Sequence, residues 1–150
     1  MAMNIRNYMR IEFPSLPENV SFARASVGAF AAQLDCTLEE IEEVKLVVSE
    51  AVSNCIIHAY DNRSNEKIMV MASIGLEREL EILVEDTGKG IADISQAMEP
   101  TYSSDETRMG MGFTFMKSFM DNVEVRSIVG EGTSVTLRRT FLYHDKEALA

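Results

Sequence analysis

Basic residues are scarce in this chain. Fourteen lysines and arginines stand against 24 aspartates and glutamates, for a formal charge of -10 and a pI near 4.6. A stripe of phosphate contacts on nucleic acid, or docking on an anionic membrane, needs clustered positive charge and is a poor default here. Cysteine is nearly missing too. Cys36 and Cys55 form no Cys-x-x-Cys pair and supply one disulfide at most, so a cytoplasmic domain with reduced thiols is expected. No apolar run approaches the roughly 18 residues of a membrane span. The opening MAMNIRNYMR alternates polar and apolar residues and has no signal-peptide core. What the chain does have is 46% apolar residues over 150 positions, enough for one buried core and too much for a disordered chain. A single domain spanning 1–150 is expected.

Met9, Ile11 and Phe13 fall on one face of an extended segment with Arg10 and Glu12 on the other, which predicts an N-terminal edge strand within residues 1–14, closed by Pro14 and Pro17. Val20, Ala23, Val27, Phe30, Ala31 and Leu34 then recur at spacings of three and four, the stripe of a helix packed on a sheet. After a break at Asp35-Cys36, Thr37 and Glu40 form a capping-box pattern. It opens a long helix from Leu38 to about Tyr60, with Ile41, Val44, Val48, Ala51, Val52 and Cys55 on its apolar face. Beyond a polar loop the period changes to two. Lys67 to Ile74 and Glu79 to Glu85 predict strands, the second with Leu80, Ile82 and Val84 inward. Asp86 to Arg108 is mostly loop with one short helix around Ile94 to Met98, and a loop of that length is uncommon unless it serves function. Phe113 to Met120 predicts a helix opened by Gly110 and Gly112, and Asn122 to Ile128 with Thr133 to Thr140 a hairpin. The order predicts an α+β fold: a two-layer sandwich with one mixed or antiparallel sheet covered by helices on one face. Residues 141–150 are polar enough to fray.

Three segments concentrate chemistry. Glu50, Asn54 and His58 stand four residues apart, so they share a helix face roughly opposite the core stripe. A carboxylate there can take a proton, and an amide oxygen suits Mg²⁺ beside phosphates. A solvated helix face has the same pattern, and His58 alone reads as a helix-face contact. Asp86-Thr87-Gly88-Lys89-Gly90-Ile91 ends a strand: its glycines let backbone approach a ligand, and Asp86 can accept from an exocyclic amine. An ordinary acidic turn looks alike. Arg108-Met109-Gly110-Met111-Gly112-Phe113 precedes a helix, where free N–H groups can receive phosphate oxygens. A lone Gly-x-Gly is weak, and both the P-loop and the dinucleotide fingerprint are missing.

In this order the three segments resemble the Bergerat-type ATP site of the gyrase, Hsp90, histidine kinase and MutL superfamily. SFARASVGAFAAQLD, VVSEAVSNCIIHAYDN, VEDTGKGI and RMGMGFTFMKSFMD together resemble the sporulation anti-sigma F factors (stage II sporulation protein AB), a family of serine kinases, over nearly the whole chain. The resemblance implies ATP or ADP with Mg²⁺ as cofactors. It makes Glu50 the general base toward a substrate serine, Asn54 the metal ligand, and Asp86 the adenine-recognising acid. Gly88, Gly90 and Ile91 shape the pocket, and Thr133 lies near the adenine. Residues 101–112 become a phosphate-covering lid that includes Ser103, Ser104, Arg108, Gly110, Met111 and Gly112, with Phe113 following. Arg24 becomes the anchor for protein partners. Those partners are sporulation sigma factor F and a STAS-domain anti-anti-sigma protein; separately, the unprotected edge of the N-terminal strand predicts a homodimer. Neither nucleic acid nor membrane is implied. The chain departs from the family pattern at Cys36, Ala59, Ser103-Ser104 and Met109, and its lid is about two residues shorter. A general stress-response anti-sigma kinase and a non-catalytic, nucleotide-dependent sigma-binding module are the alternatives; the intact Glu50 argues against the second.

Overall fold

The structure, a computed structural model, describes residues 3–99 and 107–143, with backbone alone for 107–110. The strands are β1 (Ile5–Pro14), β2 (Lys67–Gly75), β3 (Glu79–Asp86), β4 (Asn122–Ile128) and β5 (Gly132–Thr140). They form one five-stranded sheet in the order β1-β2-β3-β5-β4, and every neighbouring pair is antiparallel. The sheet therefore takes the antiparallel form of the two that were expected. β1 is an edge, as its alternating pattern required.

Register places β-branched residues side by side on the inner face. Ile11 faces Val70, Val70 faces Val84, Val84 faces Val135, and Val135 faces Val125. The next row runs Phe13, Ile68, Asp86, Thr133, Ser127. A polar patch thus continues the hydrophobic rows toward one end of the sheet.

The inner face is covered by α1 (Asn19–Ala31), α2 (Leu38–Asn54) and α4 (Thr107–Phe119), with α3 (Ile94–Ala97) at the rim. α1 buries Ala23, Val27, Phe30 and Ala31, then tightens into a 3₁₀ turn over Ala32–Leu34 and stops at Asp35, whose φ of 55° is left-handed. The capping box forms in both directions. Glu40 N–H donates to Thr37 Oγ1 at 3.1 Å, and Thr37 N–H donates to Glu40 Oε1 at 2.9 Å, an arrangement that contributes about 1 kcal/mol.

Three local features differ from expectation. The long helix does not run on to Tyr60 as a regular α-helix; Cys55–Ala59 is a π-helical turn, closed by Tyr60 N–H donating to Cys55 O at 3.0 Å. α4 starts at Thr107 rather than Phe113, and encloses Gly110 and Gly112. Gly112 therefore serves packing against α2 rather than a helix start. At the C-terminal end Phe141 is buried rather than frayed, because the buried Arg78 donates to Phe141 O and Leu142 O and stacks on Tyr143.

Candidate active site

A cavity of about 280 Å³ opens where the polar sheet row, the π-turn, α3 and α4 meet. Asn54, Cys55 and His58 line it from the α2 side, Asp86, Thr133 and Val135 from the sheet, and Gly90, Ile91 and Phe113 from the loop and α4. Its mouth carries Lys89, which pairs with Asp61 at 3.1 Å.

α2 meets the cavity at its C-terminal end and through the π-turn that follows it. One extra residue in the turn changes the phase of the helix, a device that recurs at functional sites. His58 lines the cavity beside Asn54 with only 8% of its surface exposed, and does not project from a face opposite the core. Glu50 and Asn54 are half-buried beneath α4. A β-carbon built on Gly112 would lie 3.1 Å from Glu50 Oε2 and 3.4 Å from Asn54 Nδ2. Glycine is what lets α4 close on those two side chains.

Asp86 is 7% exposed, at the end of β3. Its Oδ1 accepts from Gly88 N–H at 3.0 Å and from Thr133 N–H at 3.2 Å. Burial pushes its carboxyl up, while those two N–H donors and the Cys55 thiol pull it down. With Oδ1 saturated by backbone, Oδ2 is the oxygen available to a ligand's amine. Burial and the adjacent Asp86 charge raise the Cys55 thiol well above its ordinary value, so it is protonated and can donate. Burial also raises the Glu50 carboxyl, the direction that suits a base working near neutral pH.

The loop after Asp86 is held at both ends. Thr87 N–H donates to the Tyr60 hydroxyl at 2.7 Å, and the same hydroxyl donates to Lys67 O. Lys89 N–H donates to Ala59 O at 3.1 Å. Gly88 packs so tightly there that a β-carbon would come within 2.4 Å of Ala59 O, and Gly90 adopts φ +79° against Ile128 O. Further along, Ile91 N–H donates to Ser127 Oγ at 2.7 Å. Tyr60 and Ser127 are the residues that sequence reasoning missed. Tyr60 carried a signal in the buried aromatic ending the helix; Ser127 carried none beyond its place in a strand.

The expected site residues divide as follows. Asn54, Asp86, Gly90, Ile91, Phe113 and Thr133 line one cavity, with Gly88 forming its backing and Glu50 and Gly112 meeting at its α4 side. Met111 is 51% exposed and lies apart from the lining. Ser103 and Ser104 lie outside the described residues, and of Arg108 and Gly110 only the helical backbone is described. Arg24 is on α1, away from the cavity, its Nη2 donating to Ser21 Oγ at 2.9 Å.

Asn54 provides the test of fit for a divalent cation. Its Nδ2 is buried with no hydrogen-bond partner, an orphaned donor that a phosphate oxygen can accept from, and Oδ1 of the same amide is the atom that could reach a cation. Among the described residues no group of three or more His, Cys, Asp or Glu could hold a metal. One hard amide oxygen suits an ion that keeps waters and binds chiefly through substrate phosphates, as Mg²⁺ does.

Comparison with known proteins agrees with this geometry. The family described as "Histidine kinase-like ATPase domain" matches residues 13–139. The anti-sigma F factor of Clostridium acetobutylicum is 48% identical over 139 residues, covering 91% of this chain and 96% of that protein. That of Pasteuria penetrans is 52% identical over 133 residues, covering 87% and 88%. Among solved structures, the RsbU and RsbW domains of Rv1364c from Mycobacterium tuberculosis superpose with a TM-score of 0.66 at 17% identity, over 89% of this chain and 32% of that one. A blue-light activated histidine kinase of Erythrobacter litoralis gives 0.56 at 22% identity, over 78% of this chain and 41% of that one; both show the fold. On these grounds the chain belongs to the anti-sigma F factor family, built on a histidine kinase-like ATPase domain.

Proposed function

We propose that this chain is an ATP-dependent serine kinase and anti-sigma factor: it holds a sporulation sigma factor inactive, and it phosphorylates the STAS-domain antagonist that would release that factor. The observation that best supports the reading is the pairing within one site of a buried carboxylate acceptor, Asp86, with a desolvated carboxylate, Glu50, and an amide whose buried Nδ2 has no partner, Asn54, brought together under Gly112. Family membership at 48% identity over 91% of the chain supports the choice of protein substrate.

In this mechanism Asp86 and Thr133 hold the adenine, and Asn54 supplies an oxygen to Mg²⁺, which when bound neutralises charge on the triphosphate. Glu50 accepts the proton of the antagonist's serine as the serine oxygen bonds to the γ-phosphorus. The bond from that phosphorus to the bridging oxygen breaks, ADP departs, and Glu50 then gives its proton to solvent. Phosphoryl transfer needs little more than such positioning and charge stabilisation. Of the lid residues Ser103 to Gly112, Arg108 is assigned to the phosphates.

Arg24, half-exposed on α1, is assigned to the sigma factor and the antagonist. The acidic charge of -10 favours basic helices of a sigma factor over nucleic acid. A homodimer along β1 is supported by its edge position and by Ile5 and Tyr8, which are 58% and 66% exposed. No helix among the described residues is long and apolar enough to cross a membrane; a cytoplasmic site of action follows from the proposed partners.

The test is transfer of label. Incubated with γ-labelled ATP, Mg²⁺ and a purified STAS-domain antagonist, the chain should place phosphate on a serine of the antagonist. ATP binding without transfer would leave a sequestering module and remove the kinase.

A further inference from the structure

Inward positions on β5 read Thr133, Val135, Leu137 and then Arg139, so the alternation that fills the core ends on a cation. It stands opposite Leu80, at the far end of the sheet from the Asp86 row. Arg139 is only 16% exposed, and its guanidinium joins the two helices that build the site. Nη1 donates to Glu43 Oε1 at 3.2 Å and to Phe119 O at 3.1 Å, and Nη2 lies 3.5 Å from Glu40 Oε2. The Phe141 ring stacks on it, 4.7 Å from the guanidinium carbon. Glu40 and Glu43 belong to the first two turns of α2, whereas Phe119 ends α4, where open carbonyls favour a cation.

These contacts stand in register with the catalytic ones. Glu43 precedes Glu50 by seven residues on α2, and Phe119 follows Gly112 by seven on α4. Seven residues is close to two helical turns, so each pair shares a face. The start of α2 meets the end of α4, and Arg139 closes the antiparallel pair two turns from where Gly112 meets Glu50. We propose that Arg139 is a positioning residue for phosphoryl transfer: it fixes how far α4 slides along α2, and so seats Glu50 and Asn54 under Gly112. A helix is stiff along its axis, so a slip at Phe119 is carried to Gly112. The fit there tolerates little, since a β-carbon on Gly112 would lie 3.1 Å from Glu50 Oε2. The planar fork of arginine can hold carboxylate and carbonyl oxygens at once in fixed directions, which a lysine ammonium does not. Arg139 lies outside the cavity lining and acts through α4.

This inference rests on the kinase reading, and a double-mutant cycle separates the two. Arg139→Lys keeps the charge beside Glu40 and Glu43 but loses the fork. Glu43→Ala loosens the same link from α2 with a good helix former, so the test does not depend on one variant folding. Single-turnover transfer to the STAS-domain antagonist at saturating ATP is measured beside equilibrium ATP binding and thermal melts. Transfer should slow by about tenfold in Arg139→Lys and by about threefold or more in Glu43→Ala. ATP affinity should stay within about threefold in both, because Asp86 and Thr133 belong to the sheet and do not move with α4. Gly112→Ala crowds Glu50 because α4 is held down, so adding Arg139→Lys should relieve that crowding. The double variant should lose about tenfold in all, against the roughly 100-fold of independent sites. Losses that multiply, or wild-type transfer in both single variants with only a lower melt, would overturn the positioning role and leave the kinase reading intact. A wild-type chain that bound ATP and transferred no phosphate would overturn both.

Discussion

Gly112 faces the Glu50 carboxylate so closely that a β-carbon on it would lie 3.1 Å from Glu50 Oε2. Because Gly112 is inside α4, a methyl group there favours the helix by about 1 kcal/mol while crowding both Glu50 and Asn54. Gly112→Ala should therefore leave thermal stability equal or higher and lower phosphoryl transfer by about tenfold or more. Melting curves beside single-turnover rates check the opposed signs. A loss of both together would mean that Gly112 serves only packing.

Asp86 ties recognition to stability. Its folded carboxyl is raised above 3.8 by burial, so it binds a proton more tightly folded than unfolded. The stabilisation from that proton is complete below about 3.8 and is lost as pH rises through the folded value. At neutral pH the ionised group opposes folding. Asp86→Asn keeps an oxygen for the Gly88 and Thr133 N–H donors but carries no charge. It should melt higher than wild type at neutral pH, with the advantage shrinking in acid, and ATP affinity should fall by about 100-fold, since a charge-assisted bond is lost and an amide donor now faces the adenine amine. Melts from acid to neutral pH and equilibrium nucleotide binding are the checks.

Much of this was legible from residue order because local signals and tertiary demands coincide. The capping box at Thr37 and Glu40 and the alternation of Leu80, Ile82 and Val84 each followed from chemistry within a few residues. The π-turn at Cys55–Ala59 did not, because an i to i+5 closure leaves no period in five residues and is imposed by what packs on it. His58 lines the cavity beside Asn54, as their four-residue spacing requires, but the face they share is turned inward and is not the one opposite the core. α4 was misjudged at its start because glycine is read as a breaker, whereas Gly112 is required by the approach of Glu50. Ser127 is invisible without register, since its importance comes from facing Thr133 across a hairpin.

Asn54 offers a metal-specific prediction. With its Nδ2 already without a partner, Asn54→Ala removes little folded-state bonding. ATP affinity in Mg²⁺ should fall by about tenfold or more, whereas affinity in excess chelator should match wild type. Equal affinities under both conditions would remove the metal role from Asn54.

Arg24→Ala tests the partner face. The guanidinium bonds only to Ser21 among the described residues, so its removal should spare folding and nucleotide binding. Dissociation of the sigma factor and of the antagonist should accelerate by about tenfold or more, as for an arginine anchor at an interface. Surface-immobilised partner and measured off-rates decide it.

The central claim is that Glu50 is the base of a protein serine kinase, and single-turnover phosphorylation of the STAS-domain antagonist at saturating ATP tests it most directly. Glu50→Gln keeps shape and one accepting oxygen but cannot take the proton, so transfer should fall by roughly 10²-fold or more while ATP and sigma binding persist. Because burial raises the Glu50 carboxyl above 4.5, the wild-type rate should decline in acid along a limb lying above that value, and the residual rate of Glu50→Gln should lack that limb. A Glu50→Gln rate within about threefold of wild type, retaining the acid limb, would contradict the assignment.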